Sequence, residues 1–206
     1  MSFPLSWTGT WRVEREILSV DGDPSVAERA WRSTGGEGKF EVGAVENYSV
    51  DFVTHGGVDA EAFPDWRSEI SSRCRLSPLS VVWEPARPDI LEYFRADGGA
   101  AVRLAVESRV LLRTFSSYGA LDVIDVSERR GGSRRLRTLQ LSRTYKPVND
   151  AGEIIGREVL ETCDAPSVPG EVASPTSTTK SKLTLRSFIR PLTDPVRRRD
   201  VGQEAR

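Results

Sequence analysis

Apolar and polar residues alternate with a period of two through much of the chain, and the alternation starts near its beginning. Trp11, Val13 and Ile17 fall on one phase, with Arg12, Glu14 and Glu16 on the other. This is the pattern of a strand with one face buried and one face wet. Arg15 falls on the apolar phase. It is either an inward arginine or the mark of a twist or bulge, because Leu18 and Val20 continue on the opposite phase. Asp21-Gly22-Asp23-Pro24-Ser25 then ends the strand with turn chemistry. Val26 to Trp31 fits a helical turn or a short strand, and Ser33 to Gly38 reads as a loop.

The chain extends again from Phe40 to Val53, with Tyr48, Val50 and Phe52 on one phase and Asn47, Ser49 and Asp51 on the other. Phe63-Pro64-Asp65-Trp66 has the chemistry of a helix start, with proline tolerated in the first turn and aspartate suited to its positive end. A meander follows. Strands are expected over 79–84, 90–95, 101–109, 110–118, 121–127, 136–145 and 153–163. Turns around Pro85, Gly98-Gly99, Gly119, Gly131-Gly132 and Gly152 separate them. About eight short strands with almost no helical periodicity predict an all-β fold, a single antiparallel up-and-down barrel over residues 6–164. Such a barrel leaves no open edge. Residues 165–206 change character: Pro, Ser, Thr and Gly dominate as far as Ser181. So little apolar surface cannot offset the entropy of ordering, and the segment is expected to be a largely disordered tail.

Composition narrows the function. The net charge is −1, so no global basic field draws in nucleic acid or an anionic membrane. The basic turn Arg129-Arg130-Gly131-Gly132-Ser133-Arg134-Arg135 lacks an interleaved aromatic platform and reads as a solvated hairpin tip. Cys74 and Cys163 have neither a disulfide-framework nor a metal-ligand spacing, and a single histidine, His55, excludes a His-rich metal site. No metal site is expected. No apolar run reaches the roughly 18 residues of a membrane helix. Met1 to Trp7 has neither a basic region nor an apolar core, so no signal peptide is expected and the chain as given predicts a cytoplasmic location.

The strand over 136–145 carries the strongest candidate chemistry. Arg137, Leu139, Leu141, Arg143 and Tyr145 share one phase. If that phase faces inward, two guanidinium groups and a phenol lie among leucines. A buried guanidinium needs a partner, and a ligand carboxylate would supply a bidentate one. The competing reading turns this face outward, since charged side chains are rarely buried. Arg157, on the next strand with Ile155 and Val159, would join the cluster or pair at the surface. Tyr48 and Trp83 would line a pocket for a planar ligand or simply serve as core.

Gly9-Thr10-Trp11, followed by an antiparallel meander, resembles the calycin superfamily, the lipocalins and their relatives. Together with Val81-Val82-Trp83-Glu84-Pro85 it is similar to an uncharacterised lipocalin-like family of plants, algae and cyanobacteria, and more distantly to the S-type phycobilin lyases. The resemblance implies that Gly9 and Trp11 close one end of the barrel, with Arg137 or Arg143 packed over the indole. The arginine-X-tyrosine of Arg143 and Tyr145 also resembles the carboxylate clamp of intracellular fatty-acid-binding barrels. The implied function is non-catalytic binding of a hydrophobic anion inside the barrel, such as a tetrapyrrole or fatty acid, with no cofactor required and a bilin as a candidate ligand. The alternatives are a bilin lyase-like attachment factor, acting on a protein acceptor through the tail, and an interaction module with a filled barrel. Resemblance adds a plastid as the alternative location. No catalytic residue is assigned.

Overall fold

The computed structural model describes residues 3–55, 61–76, 80–84, 87–94, 101–114, 117–130, 133–147, 152–163 and 175–187. A single 3-10 turn, Leu5–Trp7, precedes β1 (Gly9–Gly22), α1 (Pro24–Ser33), β2 (Val45–His55), β3 (Glu61–Pro64) and α2 (Trp66–Arg73). Seven strands follow: β4 (Val81–Glu84), β5 (Arg87–Phe94), β6 (Ala101–Arg113), β7 (Tyr118–Arg130), β8 (Ser133–Pro147), β9 (Glu153–Cys163) and β10 (Pro175–Ser187). All ten strands form one antiparallel sheet in the order β3-β2-β1-β10-β9-β8-β7-β6-β5-β4. The expected all-β, antiparallel class is therefore the observed one, with longer and more numerous strands. Residues 101–109 and 110–118 do not form two strands. Residues 101–113 are continuous in β6, with a register shift between Val106 and Ser108. The basic segment 128–135 belongs mostly to the β7–β8 hairpin, with Arg130 opposite Ser133.

Local sequence explains most boundaries. In β1 the side chains of Trp11, Val13, Arg15 and Ile17 are all buried, so Arg15 is an inward arginine. The register then shifts between Ile17 and Ser19, which leaves Leu18 exposed and accounts for the change of phase. Val26 to Trp31 is helical. Pro24 occupies the first turn of α1, and the Asp23 carboxylate accepts from the backbone N–H groups of Ser25 and Val26 at 2.8 and 3.3 Å. Asp65 caps α2 in the same way, accepting from Arg67 N–H at 2.9 Å.

Two expectations need correction. Residues 175–187, assigned by sequence to the disordered tail, are β10, which lies between β1 and β9 in the middle of the sheet. Ser177, Thr179 and Ser181 present small buried side chains, and Leu183 and Leu185 complete the core face. The segment is polar because its inward residues are hydroxylated, while its threonines favour an extended backbone. The domain boundary at 164 is therefore wrong for residues 175–187; residues 165–174 and 188–206 lie outside the described residues. The first and last strands do meet, but this pairing does not close a cylinder, because β2 and β3 continue the sheet beyond β1. Among the described residues β3 and β4 are not hydrogen-bonded to each other. Helix α2 lies along the exposed margin of β2 instead. Ser68 and Ser72 hydroxyls accept from the backbone N–H groups of Asp51 and Ser49 at 2.8 and 2.7 Å, and Asp65 N–H donates to Asp51 C=O at 2.7 Å. A helix thus satisfies backbone groups that a neighbouring strand would otherwise take.

The sheet curls enough to bring distant strands together around the N-terminal aromatics. Phe3 and Trp7 pack on Phe52 of β2, Tyr118 of β7 and Tyr145 of β8, at centroid distances of 5.4–6.3 Å. Trp11 is buried among them, its indole Nε1–H donating to Trp7 C=O at 2.7 Å. Trp11 thus belongs to the buried aromatic cluster at the start of β1, with Trp7 as its hydrogen-bond partner. A second apolar cluster, including Trp31, Tyr93, Leu104, Ile124 and Leu139, fills the other end.

Candidate functional site

Three core-facing strands each bring one charged residue to a common point in the interior. Arg15 lies between Val13 and Ile17 on β1, Arg143 between Leu141 and Tyr145 on β8, and Glu158 between Gly156 and Leu160 on β9. Glu69 and Arg73 reach the same region from successive turns of α2, and Glu46 reaches it from β2. The six form a closed alternating ring. Arg143 holds Glu69 bidentately at 2.7 and 2.8 Å and donates from Nε to Glu158 at 2.7 Å. Glu158 lies 2.6 Å from Arg15 Nη2, and Arg15 Nη1 reaches Glu46 at 3.4 Å. Arg73 grips both oxygens of Glu46 at 3.1 and 3.2 Å and returns to Glu69 at 3.5 Å. Thr34 C=O and Ser181 Oγ accept further bonds from Arg73 and Arg15, at 2.6 and 3.3 Å.

The ring carries three positive and three negative charges and no side chain in it is more than 11% exposed. Each charge has two neighbours of opposite sign, which is the condition for ions to survive burial. Burial alone would raise the Glu158 pKa, but Arg15, then Arg143 and Arg73, outweigh it and hold the carboxyl at about 2. Burial opposes the charge on Arg73 and Arg143, yet the carboxylates beside them, Glu46 and Glu69 respectively, push both pKa values up. Burial, with Glu69 nearby, pushes the Tyr48 phenol up, and burial does the same at Tyr145 despite Arg143.

Arg143 and Tyr145 do face inward, as one of the two readings required. The Arg143 clamp, however, already holds a carboxylate, and that carboxylate is Glu69 of the same chain. Arg137 pairs with Glu128 of β7 at 2.9 Å, so it neither covers Trp11 nor joins the ring. Tyr48 is buried beneath Arg73, whose guanidinium carbon lies 5.2 Å from its ring centroid. Arg157 is exposed on the outer face, opposite Thr144 and Lys182 on its two neighbouring strands, and does not join the inward cluster. Gly9 opens β1 with φ 126°. Trp83 lies in β4, but its side chain falls outside the described residues, as do the hairpin tip at 131–132 and Phe115. Cys74 and Cys163 are both buried and not bridged to each other, which weighs against a thiol-linked chromophore.

Glu46, Glu69, Arg73 and Glu158 are absent from the residues that sequence alone singled out. A signal existed for Glu158, an acid on the apolar phase of Ile154, Gly156 and Leu160. No such signal existed on α2, where an acid and a base four residues apart read as a solvated ion pair.

A groove of about 600 Å³ lies beside β8 and β9. Pro147 and Ile155 supply apolar lining, Lys146 and Arg157 supply cations, and Ser117 and Thr144 supply hydroxyls. Lys146 stands opposite Ile155, and Arg157 stands opposite Lys182, whose other neighbour is Glu16 of β1. Among the described residues, no ion pair engages Lys146, Arg157 or Lys182. Two like charges directly opposite each other across a ladder repel. An anion in the groove would relieve this repulsion.

No family model, curated protein or solved structure matches the chain. Among the described residues no cluster of three or more His, Cys, Asp or Glu side chains could hold a metal ion. No helix among them is long and apolar enough to cross a membrane.

Proposed function

We propose that this protein is a non-catalytic binding protein for a small amphiphilic anion, taken up in the outer β8–β9 groove. The ligand class is the one the calycin resemblance implies, a carboxylate or similar anion on an apolar body, with fatty acids and tetrapyrroles as examples. The site is different. The core clamp is filled by Glu69 and Glu158, whereas Arg157 and Lys146 flank apolar surface with no carboxylate of their own. That pairing of unengaged cations with Pro147 and Ile155 is the observation that carries the reading. The groove volume of about 600 Å³ falls in the range of sites that enclose drug-sized ligands.

The test is a titration of the full chain with palmitate and with a neutral analogue, its methyl ester. Binding of the acid should exceed that of the ester and weaken with salt. Arg157→Ala with Lys146→Ala should weaken palmitate binding roughly tenfold or more, as expected for loss of charge-assisted contacts. Equal binding of acid and ester, or palmitate binding untouched by the double substitution, would refute the outer site.

A further inference from the structure

The cations of the β8–β9 groove are gathered at one point of the outer face. Thr144 of β8, Arg157 of β9, Lys182 of β10 and Glu16 of β1 stand in one row across the four strands. Lys146 and Ile155 face each other in the next row, so Lys146 is the diagonal neighbour of Arg157. Residues directly opposite on a ladder have Cβ atoms about 5 Å apart, and diagonal ones lie about 7–8 Å apart. Lys146, Arg157 and Lys182 are thus within reach of one small ligand group. All three are exposed, and among the described residues no ion pair or hydrogen bond engages them. The charged pairs around them are closed: Arg186 holds Glu153 at 3.4 Å, and Lys180 reaches Asp21 at 3.5 Å. Glu16 faces Lys182 from its other side, and Glu14 follows on the same phase of β1. Both lie two strands from Arg157, about 10 Å or more. That exceeds the roughly 8 Å over which physiological salt screens exposed charges.

A carboxylate brings one charge and two coplanar oxygens. It satisfies the Arg157 fork and leaves two ammonium groups unanswered beside it. A phosphomonoester brings close to two charges and three terminal oxygens. Two of these oxygens can accept from Arg157, and the third is then available to the lysines and to the Thr144 hydroxyl, which has no hydrogen bond of its own among the described residues. Arg157 and Lys182 repel each other across the ladder in the empty protein, and a dianion relieves more of that repulsion than a monoanion does. Pro147 and Ile155, on the Lys146 side of the groove, offer the surface for an apolar body. We infer that the ligand of this groove is an amphiphile with a phosphomonoester headgroup. The inference rests on the reading of the groove as an anion site and adds the identity of the anion.

The experiment is calorimetry of the full chain with octyl phosphate, octyl sulfate, palmitate and inorganic phosphate. Octyl sulfate has the shape of octyl phosphate but a single charge. At pH 7.5 octyl phosphate should bind about tenfold or more tighter than octyl sulfate, the effect of one further charge-assisted contact. The second pKa of a phosphomonoester is about 6. At pH 5 the preference should therefore shrink to about twofold, with octyl sulfate binding unchanged. Inorganic phosphate lacks the apolar body and should bind at least about tenfold more weakly than octyl phosphate. Lys182→Gln, a surface change checked for folding by urea unfolding, should reduce the phosphate preference to about threefold or less. The inference is overturned if octyl phosphate and octyl sulfate bind alike at pH 7.5, or if the preference persists undiminished at pH 5. It is also overturned if inorganic phosphate binds as tightly as octyl phosphate, or if Lys182→Gln, folded as wild type, keeps the full preference. Palmitate separates the two claims. Palmitate binding without a phosphate preference removes the headgroup and leaves the groove an anion site, whereas failure of all four ligands removes both.

Discussion

Replacing Arg143 by methionine keeps much of the side-chain length and removes the charge from the centre of the ring. Glu69 would then keep only its 3.5 Å contact to Arg73, and Glu158 only its contact to Arg15. The cluster would hold three carboxylates against two guanidinium groups in a region almost without solvent. Removing one partner of a buried, hydrogen-bonded ion pair costs about 3–5 kcal/mol. That is a large share of a domain's total stability of about 5–15 kcal/mol. With a urea slope of about 2 kcal/mol/M, the unfolding midpoint should fall by roughly 2 M. A second substitution, Glu69→Leu, restores the balance to two charges of each sign. Arg143→Met with Glu69→Leu should therefore be more stable than Arg143→Met alone, with a coupling of about 2 kcal/mol or more. Urea unfolding followed by tryptophan fluorescence measures all four corners of this cycle. A loss below about 1 kcal/mol for Arg143→Met, or additive effects in the double variant, would refute the ring as the reason the interior holds these charges. A cargo clamp behaves differently: its arginine would be dispensable to the stability of the empty protein.

Two further predictions concern acid and the sheet margin. The Glu158 pKa of about 2 lies below the ordinary glutamate value of 4.5. The unfolded chain therefore binds this proton first as pH falls. The stabilisation is fully present above pH 4.5 and is lost toward pH 2, a total of about 3 kcal/mol. Stability measured across that window should drop by this order, and Glu158→Gln should flatten the profile; an unchanged slope in the variant would contradict the assignment. Ser68→Ala and Ser72→Ala each strip a hydroxyl acceptor from a β2 N–H, at a cost of about 1–3 kcal/mol where the group stays shielded from water. Hydrogen exchange at the Asp51 and Ser49 amides should accelerate in the matching variant, and protection equal to wild type would show that α2 does not cap that margin.

Period-two alternation was enough to read the antiparallel class and most strands, because a strand with one buried face imposes that period on its own sequence. The burial of Trp11 followed from its place on the apolar phase of the first strand. The inward turn of Arg143 and Tyr145 was one of two open readings, since alternation fixes which residues share a face but not which face is buried. β10 escaped notice because a strand in the middle of the sheet, set beside Arg15 and helix α1, can line its core side with Ser177, Thr179 and Ser181 rather than with large apolar residues.

What the sequence determined by itself is local: extended backbone, turn and cap chemistry at Asp23 and Asp65, and the pairing of phases along each strand. Only the tertiary structure decided what fills the core. Glu46, Glu69 and Arg73 are distant in sequence from Arg143 and Glu158, and an ion's burial is permitted or forbidden by partners that only the folded chain supplies. The same holds for the outer groove, whose cations and apolar surface come together only when neighbouring strands pair.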